Sequence, residues 1–219
     1  MKLTILWDND GVLVNTEGLY FQASRTVLRS VGVEFSREQF QEISLRRGES
    51  TFALAAEAGM GEVEIGRLRL LRDRLYGELL QAQSCVIDGV EDALQALHGR
   101  VRMGVVTGSR RDHFEIAHAR SGITQYMDFV ITQEDYEHSK PHPEPYVMAM
   151  KRHGLRPSEC IVVEDSERGL AAARAAGLSC LVVRSEWTAG SQFPGACKVL
   201  ESIREVPGEV FGLSGERVG

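Results

Sequence analysis

Two aspartates separated by one residue, Asp8 and Asp10, stand in Trp7-Asp8-Asn9-Asp10-Gly11-Val12-Leu13, directly after a short apolar run. In an open α/β sheet the ligand crevice lies beyond the carboxyl ends of the strands, so a turn of this kind can aim two carboxylates at different parts of one ligand. Gly11 supplies the backbone freedom such a turn needs. Three later strand ends add to the set. Val105-Val106 leads into Thr107-Gly108-Ser109, a hydroxyl with backbone N–H donors ahead of a helix, which suits an anion. Lys140 stands in Ser139-Lys140-Pro141-His142-Pro143, where the prolines restrict the chain and fix the direction of a lone lysine. Glu164-Asp165-Ser166 is a second acidic pair opening a helix. Taken singly, Thr107 reads equally as a helix cap, Lys140 as a surface lysine and Glu164 as a charge matched to a helix dipole. In order, they read as a site where a metal ion and a few donors hold a small anionic ligand.

These residues need a scaffold, and the apolar runs supply one. Leu3 to Trp7, Met103 to Val106, Phe129 to Ile131, Ile161 to Val163 and Cys180 to Val183 are short and bounded by polar or turn residues, as buried parallel strands are. Helical stretches at Arg111 to Arg120, Glu144 to His153 and Glu167 to Ala176 separate the later runs, which implies an α/β fold wound around a parallel sheet. Gly177 follows the last of them as a left-handed stop. Residues 16–84 break the rhythm with helical patterns alone. Tyr20, Ala23, Val27 and Val31 share one face there. Ile65, Leu68, Leu71, Leu75 and Leu79 share another, with Arg67, Arg69, Arg72, Asp73 and Arg74 outside. Ser36 and Gln39 read as a capping box, Gly59 to Gly61 as a break between helices, and Val199 to Glu205 as a weak final element.

Composition narrows the function classes. A net charge of -6 argues against a nucleic-acid partner, which calls for a basic surface. No apolar run approaches the roughly 20 residues that cross a bilayer, and the first strand begins so early that a signal peptide is not expected; the reading is of a cytoplasmic protein without a membrane partner. Cys85, Cys160, Cys180 and Cys197 lack metal-ligand spacing and read as buried free thiols.

The order and spacing of Asp8 to Leu13 (D-N-D-G-V-L), Val105 to Ser109 (V-V-T-G-S), Ser139 to Tyr146 (S-K-P-H-P-E-P-Y) and Val163 to Leu170 (V-E-D-S-E-R-G-L) resemble the haloacid dehalogenase-like superfamily. Within it, the chain looks like the branch of β-phosphoglucomutases and phosphoglycolate phosphatases with a helical cap. The resemblance implies a Rossmann-like doubly wound parallel core over residues 1–15 and 85–219, with an inserted helical cap over 16–84. It implies Mg²⁺-dependent hydrolysis of a small phosphorylated metabolite by a monomer or weak dimer. Asp8 would be the nucleophile and Asp10 the general acid and base. Asp8, Asp165 and the Asp10 carbonyl would hold Mg²⁺, with Glu164 bound directly or through water. Thr107, Gly108, Ser109 and Lys140 would bind the phosphoryl group. A carboxylate attacks a dianion poorly unless a cation offsets the repulsion, which agrees with a second acidic pair.

Thr16, Glu17 and Tyr20 follow the first motif closely and fall near the expected hinge. Arg46 and Arg47 precede Gly48-Glu49-Ser50 near the family's specificity loop, where guanidinium groups would suit a second anionic group, phosphoglycolate being one such substrate; a solvated helix end is the alternative. Mutases of this branch commonly carry histidine where Tyr20 stands, so a sugar-phosphate mutase is disfavoured. The chain has no lysine between Lys2 and Lys140 for the Schiff base of phosphonate cleavage. Dehalogenation needs neither a metal nor a phosphoryl-directed acid, yet Asp10 and Asp165 are both present. A non-catalytic binding protein on the same fold would have no need of the whole set.

Overall fold

Alternating side chains in short apolar runs build the two apolar layers that flank the sheet. The structure is a computed structural model and describes residues 2–214. Strands β1 (Thr4–Trp7), β2 (Arg102–Val106), β3 (Phe129–Ile131), β4 (Cys160–Glu164), β5 (Ser179–Val183) and β6 (Lys198–Leu200) form one sheet in the order β3-β2-β1-β4-β5-β6, with every neighbouring pair parallel. Ile5, Trp7, Met103, Val105, Ile161 and Val163 point to one side, where Val90, Leu94, Leu97 and Val210 cover them. Leu6, Val106, Val162, Cys180 and Val182 point to the other, onto Tyr146, Ala149, Leu170 and Ala173. A period of two thus splits each buried strand between two apolar layers. The strand order reverses at β1, which places the end of β1 at the crevice where open α/β sheets bind ligands.

Helices α1 (Glu17–Arg29), α2 (Arg37–Phe40), α3 (Ala53–Glu57) and α4 (Glu62–Ala82) lie between β1 and β2, and a π-turn spans Gln41–Arg46. The capping box at Ser36 and Gln39 is formed. The chain enters and leaves this insertion along one seam, where Asn15 N donates to Cys85 O at 2.8 Å and Ile87 N to Leu13 O at 3.1 Å. The insertion has its own apolar centre of Val27, Phe35, Phe40, Phe52, Ile65 and Leu68, which Trp187 joins from the segment between β5 and β6. Beyond the insertion follow α5 (Val90–Leu97), α6 (Arg111–His118), α7 (Glu144–His153), α8 (Glu167–Ala175) and α9 (Val206–Ser214).

Two expectations are corrected. The buried stripe of α4 runs through Ile65, Leu68, Tyr76 and Leu80, so Leu71 is exposed while Arg72, expected outside, turns inward. Tyr76 is the larger buried side chain and packs edge-on against Tyr20, while Leu75 and Leu79 pack partly buried beside it. Cys85, Cys160 and Cys180 are buried, but Cys197 is exposed, because it stands just before the edge strand β6.

Gly104 sits where β2 passes the Phe129 ring: a methyl group there would lie 2.2 Å from Cε2 and Cζ. Gly104→Ala should therefore lower stability by about 1–3 kcal/mol in chemical denaturation, with an unchanged m-value.

Candidate active site

The first acidic turn is fixed by backbone hydrogen bonds. Asp8 N donates to Val163 O at 2.8 Å, and Leu13 N and Val14 N donate to Asn9 O at 2.8 and 3.0 Å. Gly11 has φ of 81°, and a methyl group there would lie 2.1 Å from Asp165 Oδ2, so only glycine lets the two acidic turns approach so closely. Beneath the turn, His118 Nε2 donates to Asn9 Oδ1 at 2.7 Å and Ser121 Oγ lies 3.0 Å from His118 Nδ1.

Lys140 ties the sheet ends together. Its ammonium, 5% exposed, donates to Asp8 Oδ1 at 2.8 Å, Val106 O at 2.9 Å and Glu164 Oε1 at 2.7 Å, which uses all three of its protons. Glu164 also accepts from Tyr146 at 2.7 Å, Ser166 Oγ at 3.0 Å and Asp165 N at 3.2 Å. Protein donors thus occupy both of its oxygens, and it holds Lys140 from below instead of lining the cavity. Asp10 is held by hydroxyls: Thr107 Oγ1 and Ser109 Oγ donate to Oδ2 at 3.1 and 2.7 Å, and Thr16 Oγ1 donates to Oδ1. Thr107 is fully buried and orients Asp10, while Gly108 and Ser109 border the open space.

This volume holds more negative charge than its one ammonium offsets. Burial, then Glu164, raises Asp8 to about 7 against the opposing pull of Lys140. Burial and the neighbouring carboxylates raise Asp165 and Glu17 well above the usual range. Burial opposes the charge on Lys140 too, but Asp8 and Glu164 raise its pKa above that of an ordinary lysine. Ligand oxygens of Asp8, Glu164 and Asp165 lie within 4.8 Å of one another. Buried, oxygen-only and short of positive charge, this donor set fits a hard divalent cation.

A cavity of about 720 Å³ opens over these groups, bordered by Asp8, Asp10, Lys140 and Asp165 below and by Tyr20, Leu45, Glu49 and Arg72 of the insertion above. Thr16 and Tyr20 reach it as expected. Arg46 and Arg47 do not: both are half-exposed and paired with Glu42, Glu49 and Glu167, because the π-turn points them outward. The arginines that reach the cavity are Arg69, Arg72, Arg110 and Arg168. Arg72 pairs with Asp73 at 2.7 Å and also donates to the Tyr20 hydroxyl. Glu17 borders the cavity with Oε2 buried and unpartnered, and Ser185 Oγ donates to Asp165 Oδ2 at 2.9 Å. Sequence reading placed Glu17 near the hinge without a site role, and did not single out Ser185, which lies 20 residues from its partner. His142 stays local, accepting from Glu144 N at 3.2 Å.

Residues 5–183 match the model of the haloacid dehalogenase-like hydrolases. The chain belongs to that family. It is 31% identical over 186 residues to the fructose-1-phosphate phosphatase YqaB of Escherichia coli, covering 82% of this chain and 95% of YqaB. It is 32% identical over 185 residues to the validoxylamine A 7'-phosphate phosphatase of Streptomyces hygroscopicus subsp. limoneus, covering 83% and 85%. The fold superposes on CbbY from Rhodobacter sphaeroides in complex with phosphate, with a TM-score of 0.81 at 24% identity over 94% of this chain and 96% of that one. This member of the family is an enzyme of the phosphatase kind.

Two tests follow from the packing. A methyl group at Gly169 would lie within 2.0 Å of the Glu164 carboxylate. Gly169→Ala should push Glu164 off Lys140, lowering both phosphatase turnover and thermal stability. Burial also holds His118 neutral, its pKa down to about 4 from 6.5. The unfolded chain then binds the extra proton first, so this contribution is complete above pH 6.5 and is lost as pH falls toward 4, by at most about 3 kcal/mol. Denaturation across that window should show a shallower pH slope in His118→Gln than in the parent.

Proposed function

We propose that this enzyme hydrolyses small sugar phosphates through an aspartyl-phosphate on Asp8. The observation that carries this reading is the buried Lys140 ammonium, which fixes Asp8 at the cavity floor beside an Asp10 held separately by hydroxyls. One carboxylate is thereby clamped by a cation, and the other is left to handle protons. An Asp8 oxygen attacks phosphorus and the bond from phosphorus to the ester oxygen breaks, while Asp10 gives that oxygen its proton. A water molecule then attacks the aspartyl-phosphate as Asp10 takes its proton, which releases phosphate and restores Asp8. The positive charge of Lys140 and the N–H of Gly108 stabilise the charge that develops on the phosphoryl oxygens, while the N–H of Ser109 donates to Thr107 Oγ1 at 2.9 Å.

Asp8, Asp165 and the carbonyl of Asp10 would hold Mg²⁺, with Glu164 steadying Lys140 and reaching the ion only by giving up a donor. When bound, that ion offsets the repulsion between Asp8 and a dianionic phosphoryl group. Residues 16–84 act as a cap that excludes water during the chemistry and contributes specificity through Tyr20 and Arg72. Two observations favour hydrolysis over mutase chemistry. Tyr20 accepts a hydrogen bond from Arg72, and burial raises its pKa, so it does not shuttle protons as a histidine could. The choice of sugar phosphates is supported by the fructose-1-phosphate phosphatase named among the relatives and by the size of the cavity.

Asp8→Asn should cut phosphate release from fructose 1-phosphate and an aryl phosphate by on the order of 10³-fold or more, with an unchanged circular dichroism spectrum. Chelation of divalent metal should abolish release by the parent enzyme, and added Mg²⁺ should restore it. Full turnover by the asparagine variant would overturn the mechanism.

A further inference from the structure

Arg168 is the second residue of α8, a helix start where the dipole disfavours a cation. Its sequence position suggests that it orients the acidic turn. Among the described residues, however, its side chain makes no hydrogen bond or ion pair, and its Nε is buried without a partner. A buried donor left unpaired destabilises the fold, so the residue is unfavourable on both counts.

Its surroundings point to a ligand. Arg168 borders the cavity on the same wall as Lys140, Asp165 and Ser166. Its guanidinium lies near Gly48 of the insertion, where an added methyl group would come within 3.7 Å of Nη1 and 3.8 Å of Cδ. Two other arginines on the wall are already occupied, Arg72 by Asp73 and Tyr20, and Arg110 by Asp73 and Asp112. Arg69 stands exposed on α4. Arg168 therefore presents a guanidinium without an ion pair at the seam between sheet and insertion, in a cavity that Glu17, Glu49, Asp73 and Glu134 also border.

We infer that Arg168 forms a subsite for a second anionic group, a carboxylate or a second phosphoryl, carried on the leaving part of the substrate. A planar guanidinium pairs with either in a two-pronged hydrogen bond, and a wall with this much acid needs such a group to admit a second anion at all. The subsite rests on the phosphatase reading and narrows it, from phosphate monoesters in general to those with a second negative charge. It moves the anion-reading role from Arg46 and Arg47, which face solvent, to a residue on the sheet side of the cavity.

The test compares kcat/KM of the parent enzyme, Arg168→Gln and Arg168→Lys on fructose 1-phosphate, fructose 1,6-bisphosphate and phosphoglycolate, with Mg²⁺ present. Phosphate release from p-nitrophenyl phosphate by the parent reports the phosphatase reading separately. The parent should prefer fructose 1,6-bisphosphate or phosphoglycolate to fructose 1-phosphate, the preferred compound telling phosphoryl from carboxylate. Arg168→Gln should cut that preference by about tenfold or more, mainly through KM. Arg168→Lys should recover part of it, and the glutamine variant should melt no lower than the parent. The subsite is overturned if the parent shows no preference for a doubly anionic substrate. It is equally overturned if Arg168→Gln leaves the preference intact, or loses activity evenly on every compound.

Discussion

The buried Lys140 ammonium is the interaction on which the site's geometry depends. It links the end of β1 through Asp8, the end of β2 through the Val106 carbonyl and the end of β4 through Glu164, so one side chain registers the tips of three strands. Removing a charge this buried from water is costly unless every proton finds an acceptor, and here every one does. The carboxylates around it outnumber it. Burial, reinforced by that excess, keeps the pKa values of Asp8 and Asp165 high, and the excess makes the cluster receptive to a second, divalent charge.

Glycine sets how tightly the cluster can be drawn in. Gly11 lets the first acidic turn sit against Asp165, and Gly169 lets the first turn of α8 sit against Glu164. Both positions lie in motifs whose acidic residues do the evident work, but it is the missing side chains that allow two acidic turns to share one small volume. The hydroxyls of Thr16, Thr107 and Ser109 complete the division of labour by holding Asp10 apart from the lysine, so that two aspartates a single residue apart meet different surroundings.

The helical insertion is joined to the sheet by more than its two connecting strands of chain. Trp187, from the segment after β5, packs among Phe21 and Phe40, and Gln41 donates to the Trp187 carbonyl at 2.7 Å. Ser185 and Thr188 of the same segment meet at 3.0 Å, and Ser185 bonds Asp165. The roof of the cavity and one of its acidic residues are thus held by a single stretch of chain. Across the cavity, Arg110 of the sheet side pairs with Asp73 of α4 at 3.2 Å.

The sequence by itself determined the sheet and the cluster at its edge. Short apolar runs ending in turn residues can be buried in only a few ways, and Asp8, Asp10, Thr107 and Asp165 each follow such a run closely enough that their place at the strand ends was implied, while Lys140 was marked by the prolines around it. Tertiary structure decided everything that depends on which side of a helix or loop meets a distant element. On α4 Tyr76 is buried, Arg72 turns inward and Leu71 stays outside, and a π-turn carries Arg46 and Arg47 away from the cavity. Glu17, Arg168 and Ser185 gained their surroundings from segments far along the chain, and a local pattern carries no record of such neighbours. Glu164 was read as binding a metal directly or through water, or as a charge matched to a helix dipole; its bonds to Lys140 and Tyr146, both far along the chain, were not legible from its place beside Asp165.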